Sequence, residues 1–91
     1  GQRTMEAAHY TESADAWRRA VLASGGEPHL ILQYNKALIF AASGEVTDAA
    51  KEGLEIVRRL LPDNPEARYF LALRLLQEGR AEEAMKEMKV L

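Results

Sequence analysis

The sequence contains no cysteine, only three prolines and no long apolar segment. Without cysteine the chain cannot form a disulfide bond, a cysteine-ligated zinc site or a thiolate nucleophile. No apolar run approaches the ~18 residues that a membrane-spanning helix needs, so we expect no direct insertion into a membrane. The lack of cysteine fits a soluble domain in either the cytoplasm or the periplasm, and the sequence does not distinguish the two compartments.

An excess of basic charge is also missing. The chain has 12 Lys and Arg against 14 Asp and Glu, which gives a formal net charge of −2. Binding to the phosphates of nucleic acid requires clustered Lys and Arg, so we expect no nucleic-acid partner. The 47% of apolar residues is typical of a folded chain, and 91 residues suffice for one small domain.

The patterns that carry catalysis or metal binding are absent as well. The only histidines are His9 and His29, and their spacing matches no metal-binding motif. Ser13, Ser24 and Ser43 stand in no nucleophile-elbow sequence, and no glycine-rich segment is suited to cradle a phosphate. We therefore expect a protein that is not an enzyme and that uses no metal or other cofactor.

What the sequence does contain is apolar residues that recur with helical periodicity between short breaks. The segment GGEP at 25–28 forms one break, and PDNP at 62–65 forms another. Asn64 is predicted to cap a helix whose first residue is Pro65. The predicted helices cover residues 11–24, 28–42, 46–61, 65–77 and 80–91.

The start of the chain allows two interpretations. Residues 2–8 either form the end of an earlier helix or belong to one continuous helix from Thr4 to Ser24, because no Gly or Pro separates the two parts. The short connections elsewhere favour antiparallel neighbours, so the predicted fold is a stack of helical hairpins.

An internal repeat is the most specific feature of the sequence. Four pairs of identical residues share one spacing of 35 residues. The small residues among them suit a close helix crossing or a tight turn. The pairs are Tyr34 and Tyr69, Ala37 and Ala72, Gly44 and Gly79, and Ala49 and Ala84.

The third unit resembles a tetratricopeptide repeat (TPR). Leu71 and Ala72 stand where the family has Leu-Gly, Gly79 makes the turn, and Ala84 and Met88 match the family's later Ala and aromatic positions. The resemblance implies an all-α fold, a right-handed stack of antiparallel helical hairpins that forms part of an α-solenoid. It divides the single domain into a partial repeat at 1–27, a repeat at 28–64, and a repeat at 65–91 that can be incomplete.

The match to the family is not uniform. Tyr10 and Phe40 fall on aromatic positions of the family, whereas Arg68 replaces its Trp and Gly53 replaces an aromatic residue. A 35-residue period also fits pentatricopeptide RNA-binding proteins. The acidic charge balance and the positions of Gly and Ala favour the TPR family instead.

In the TPR family the first helix of each hairpin lines a concave groove. The resemblance implies that this chain is a protein–protein interaction scaffold that binds a peptide or an amphipathic helix in an apolar groove. The alternative for each groove position is a place in the core. The positions implied are Ile31, Tyr34, Leu38, Ala41, Tyr69, Leu73, Leu76 and Gln77.

Some members of the family hold a C-terminal carboxylate with asparagine and basic residues in this groove. Asn35 falls on one asparagine position. Glu66 and Phe70 occupy the basic positions, and neither side chain can hold a carboxylate. We therefore expect no binding of that kind.

Two other functions fit the same sequence. The apolar faces or terminal helices can pair between copies, which makes self-association an alternative. The domain can also serve as the regulatory or docking arm of a larger enzyme, exopolysaccharide or secretion assembly, and its Arg- and Ala-rich helices suggest a bacterial source. The apolar ending fits an array that continues or is covered by another subunit, and equally a frayed last helix; it contains Met85, Met88, Val90 and Leu91.

Overall fold

The computed structural model describes the backbone of residues 2–89 and the side chains of residues 8–89. All regular structure in this part of the chain is helical, which confirms the predicted all-α class. The helices are α1 (Gln2–Ser24), α2 (Pro28–Ala41), α3 (Asp48–Leu60), α4 (Pro65–Gln77) and α5 (Ala81–Lys89).

The first helix is a single element of 23 residues. The prediction that residues 2–8 end an earlier helix is wrong, and the continuous alternative is confirmed. No Gly or Pro interrupts residues 2–24, so nothing in the sequence stops the helix. At the other end of the chain, the predicted apolar ending at Val90 and Leu91 lies outside the described residues.

Side-chain caps fix where the later helices begin. Asn64 accepts a hydrogen bond from the Ala67 N–H at 3.1 Å and Pro65 is the first helical residue, as predicted. Helix α3 begins at Asp48, two residues later than predicted. The reason is that Thr47, in an extended conformation, caps α3 in the same way.

Three helices end in the same hydrogen-bonded turn, with a residue of positive φ just beyond the cap. In this Schellman arrangement the positive-φ residues are Gly25, Ser43 and Gly79. The turn after α2 closes with a 2.9 Å hydrogen bond from the Gly44 N–H to the Ile39 carbonyl. In the turn after α2, the residue equivalent to Gly79 is therefore Ser43, which has φ 57°. Gly44 is the next residue.

Consecutive helices pack against each other. Ala37 and Ala72, the small residues expected at helix crossings, are both buried. The expectation for Ala49 is wrong, because Ala49 is exposed, whereas its neighbour Ala50 is fully buried, as Ala84 is. The core cluster joins α2, α3 and α4 and contains Leu32, Ile39, Val46, Ala50, Leu54, Val57, Ala67, Phe70 and Leu71.

Helices α2 and α4 also lie side by side and run in the same direction. Lys36 forms an ion pair with Glu66, and the ring centroids of Phe40 and Phe70 are 6.4 Å apart. Both contacts join residues 30 apart in sequence, so residue numbers increase together along the two helices. Because the sequence repeat is 35 residues, repeated residues are displaced along the helices by about five positions, or ~8 Å.

A close contact between α2 and α3 explains the glycine that departs from the family pattern. Asn35 is 2% exposed, and its Nδ2 donates to the Ile31 carbonyl at 2.8 Å. A Cβ atom at Gly53 would lie 2.3 Å from that Nδ2. The asparagine therefore fills the volume that a larger side chain at position 53 would need.

We expect Gly53→Ala to destabilise the protein, although alanine is the better helix former by about 1 kcal/mol. Overpacking against Asn35 costs about 1–3 kcal/mol, which outweighs that gain. Urea unfolding followed by circular dichroism measures the change. In an Asn35→Ala background the same substitution becomes stabilising, because the obstructing side chain is gone. A stabilising Gly53→Ala in the wild-type protein would contradict this packing.

We expect Ser43→Gly to raise the free energy of unfolding by roughly 0.5–1 kcal/mol, because the left-handed conformation is costly for every residue except glycine. Ala42→Gly is the matched control, since Ala42 has φ −94° and no such strain to relieve. Thermal unfolding of both variants checks the prediction. If Ser43→Gly lowers the stability as much as the control does, Ser43 is not strained.

Candidate functional site

The eight residues predicted to line a groove lie on the neighbouring helices α2 and α4. Most of them are spaced three or four residues apart, so each set occupies one face of its helix. The sets are Ile31, Tyr34, Leu38 and Ala41 on α2, and Tyr69, Leu73, Leu76 and Gln77 on α4.

These residues differ in how much of their surface is free. The four on α2 are all partly buried. Ile31 and Leu73 pack against the core cluster, so much of their apolar surface is used inside the protein and is not available to a partner. Tyr69 and Leu76 are 45% and 44% exposed. The free apolar area among the predicted residues is therefore concentrated on α4.

Gln77 makes its contacts with the chain itself. Its Oε1 accepts from the Val46 N–H at 2.7 Å, and its Nε2 donates to the Val46 carbonyl at 3.1 Å. Arg74 Nη1 donates to the same carbonyl at 2.9 Å. Val46 is fully buried in the segment between α2 and α3, where no helix provides hydrogen-bond partners for its backbone. Side chains of α4 provide these partners instead. We call these three hydrogen bonds the Val46 clasp.

The charged side chains of α2 are paired inside the chain. His29 Nδ1 lies 2.9 Å from Glu27 Oε1, and the hydrogen bond from His29 lowers the pKa of the Glu27 carboxyl. Lys36 pairs with Glu66 across the contact between α2 and α4. The ion pair neutralises the one ammonium group that α2 carries.

The charged side chains of α4 are engaged as well. Arg68 Nε donates to the Pro62 carbonyl at 3.3 Å. Arg74 forms ion pairs with Asp48 and Glu78, and the hydrogen bond to Asp48 raises the pKa of the guanidinium group further above its usual range. Arg68 is the one charged side chain on α2 and α4 without an oppositely charged partner, so their joint surface keeps one uncompensated positive charge.

Aromatic rings from three helices contact one another in sequence. The centroid of Tyr10 on α1 lies 5.2 Å from that of Phe40 on α2, and Phe40 meets Phe70 on α4 at 6.4 Å. Tyr69 then lies 5.3 Å from Phe70. Phe40 is 42% exposed, whereas Phe70 is buried beneath its neighbours. We call Tyr10, Phe40, Phe70 and Tyr69 the aromatic row.

Only one ring of this row, Tyr69, was among the groove residues that the sequence predicted. Tyr10 and Phe40 match aromatic positions of the repeat, where a ring is expected to pack inside the hairpin. The signal that could have found them is a second spacing, because Tyr10, Phe40 and Phe70 are 30 residues apart. Residues that touch between α2 and α4 are 30 apart in sequence. This spacing differs from the 35-residue period of the sequence repeat.

Other kinds of site find little support in the described part of the chain. The asparagine at the position of the carboxylate clamp, Asn35, is buried and bonded to a carbonyl of its own helix, so it does not face a ligand. Across residues 2–89 no helix combines the length and the apolar character needed to cross a bilayer. Among residues 8–89, whose side chains are described, no three His, Asp or Glu side chains are grouped so that they could hold a metal ion.

Comparison with known proteins gives two bacterial relatives of the same name. The chain is 35% identical over 80 residues to the cytochrome c-type biogenesis protein CycH of Rhizobium meliloti. The matched region covers 88% of this chain and 21% of that protein. It is 33% identical over 75 residues to the protein of that name from Bradyrhizobium diazoefficiens, with 82% and 20% covered. The chain thus spans about a fifth of the length of these relatives.

No solved structure matches the chain. The family model described as tetratricopeptide repeat matches residues 1–65 and again residues 50–90, which together include nearly every residue. The helical hairpins, the small residues at their crossings and the glycine-containing turns agree with that match. The chain belongs to the tetratricopeptide repeat family.

Proposed function

We propose that this chain is a protein-interaction module that holds a peptide or an amphipathic helix on the surface formed by α2 and α4. The repeats of this family form a non-catalytic scaffold that mediates contacts between proteins. The observation that carries the proposal is the presence of exposed apolar side chains on these two helices, whose charged side chains other than Arg68 form ion pairs within the chain. A partner that leaves Arg68 in contact with water can cover such a surface without desolvating an unpaired charge.

The chemistry of the exposed residues supports the same conclusion. Tyr69 and Phe40 each present close to half of their surface to solvent. Aromatic side chains offer a large apolar area at a low cost in conformational entropy, and they are enriched among residues that dominate binding energy. Leu76 extends the apolar area about two helical turns beyond Tyr69 on the same helix.

The names of the relatives indicate a process in which such a module could act. Both relatives are named for c-type cytochrome biogenesis. We propose that this chain contributes to the same process in its own organism by binding a protein component of it. Since the chain corresponds to about a fifth of those proteins, the proposal concerns this module and not the activity of a whole relative.

Self-association is the second candidate, because large apolar side chains are also exposed away from α2 and α4. Leu22 on α1 is 70% exposed, and Met85 on α5 is 58% exposed. These residues are available for contact between copies of the chain whether or not the α2–α4 surface binds a partner.

The test is affinity capture from an extract of the source cell, with the bound proteins identified by mass spectrometry. Wild-type protein is compared with Leu76→Glu, which places a charge on the α2–α4 surface, and with Leu22→Glu, which places the same charge on α1. We expect Leu76→Glu to lose a component of c-type cytochrome assembly, because its binding would bury an unpaired carboxylate. The control keeps that component.

Three outcomes separate the candidates. Equal retention by all three proteins would contradict binding on the α2–α4 surface. Loss in the Leu22→Glu protein alone would place the contact on α1. Capture of the chain's own parent protein, together with a concentration-dependent mass in light scattering, would support self-association instead.

A further inference from the structure

We infer that the outward face of α3 pairs with the same face of a second copy of this chain, with the two α3 helices antiparallel. The face consists of Ala49, Gly53, Ile56 and Leu60, and we call it the α3 stripe. None of these residues belongs to α2 or α4, so the contact goes beyond the proposed function and leaves the α2–α4 surface available to a partner.

The apolar side chains of the α3 stripe face solvent. Ile56 is 38% exposed and Leu60 is 54% exposed. Ala49 is exposed as well, and Gly53 is partly exposed beside Asn35 of α2. The opposite side of α3 is already buried in the core cluster. Helix α3 thus has a second apolar side that its own neighbours leave uncovered.

The sizes of the four residues fit an antiparallel pair of helices. They are four, three and four positions apart, which is the spacing of contact positions in a coiled coil. The antiparallel register that joins Gly53 to Ile56 of the second copy also joins Ala49 to Leu60, and two-fold symmetry repeats both contacts. Each layer then places a large side chain opposite a small residue, so the helices approach closely without overfilling the contact.

The charges beside the α3 stripe are complementary in the same register. Glu52 and Arg59 are both exposed, and neither forms an ion pair with another of the residues 8–89. In the antiparallel register Glu52 of each copy lies beside Arg59 of the other, which gives two ion pairs across the contact. The charged residues on the other side of α3 line a crevice with α4 and α5, and they are Lys51, Glu55 and Arg58.

The position of α3 in the chain favours a second copy over a further repeat as the occupant. In a repeat array each unit contacts only its neighbours, and α3 already packs against α2 and α4. The face is complementary to itself in size and in charge, which is what a two-fold contact requires. One short helix from each copy buries little area, so we expect a weak dimer with a dissociation constant on the order of 100 µM.

Sedimentation equilibrium of the 91-residue chain, from about 10 µM to about 1 mM, measures the dimer. Ile56→Glu is expected to weaken self-association at least about tenfold, because each dimer would bury two unpaired carboxylates. Circular dichroism checks that this variant is folded. Leu22→Glu and Met85→Glu are the matched controls at exposed apolar residues of α1 and α5, and they leave the dissociation constant unchanged.

Charge reversal tests the register at low ionic strength. Glu52→Arg and Arg59→Glu are each expected to weaken self-association about threefold or more, because like charges then meet twice in the dimer. An equal mixture of the two variants forms a heterodimer as tight as the wild-type dimer. In that mixture each charge at position 52 again meets an opposite charge at position 59, and damage to the fold of either variant could not be repaired by mixing.

Three results would overturn the inference. The first is a chain that remains monomeric at about 1 mM. The second is a dimer that persists in Ile56→Glu and is lost in Leu22→Glu or Met85→Glu, which would place the contact on α1 or α5. The third is a mixture of the charge variants that associates no better than either variant alone. Capture of a cellular partner through Leu76 is a separate measurement, so the proposed function stands or falls independently of these results.

Discussion

A buried residue outside any helix places a strict requirement on this fold. Val46 lies in the segment that joins α2 to α3, and it is fully buried. Leaving its backbone N–H or carbonyl unpaired in the interior would cost about 1–3 kcal/mol for each group. Gln77 and Arg74 remove that cost by pairing both groups. Helix α4 is thereby tied to the end of α2, and the arrangement of these two helices depends on the connection.

The candidate binding surface follows from that arrangement. Once α2 and α4 run side by side, Lys36 meets Glu66 and Phe40 meets Phe70 one turn later. The first contact cancels charge, and the second continues the aromatic row that Tyr10 begins. The aromatic surface is thus a consequence of how the hairpins are joined. The exposed apolar side chains of these helices thus lie among charges that are paired within the chain, with Arg68 as the exception.

The sequence predicted those features that depend on local residue chemistry. Asparagine is preferred as an N-cap and proline as the first residue of a helix, so the start of α4 at Asn64 and Pro65 was predictable. The break after α2 was also visible, but its turn needs a positive φ at Ser43 as well as at Gly44, and local propensity does not favour that conformation for serine. Features that depend on packing between helices were not predictable. Phe40 contacts Phe70 through a displacement of the helices that the 35-residue repeat does not encode, and Gln77, expected on the groove, is bonded to the backbone of a distant segment.

Amide hydrogen exchange of Val46, measured by NMR in the wild-type chain and in Gln77→Leu, tests this account most directly. The account predicts that the Val46 amide exchanges as slowly as the amides of the core helix α3, although no backbone carbonyl accepts its hydrogen bond, and that Gln77→Leu makes this amide exchange much faster. A Val46 amide that exchanges in the wild-type chain as quickly as exposed loop amides would show that the clasp does not form in solution. The stated basis for the arrangement of α2 and α4 would then be wrong.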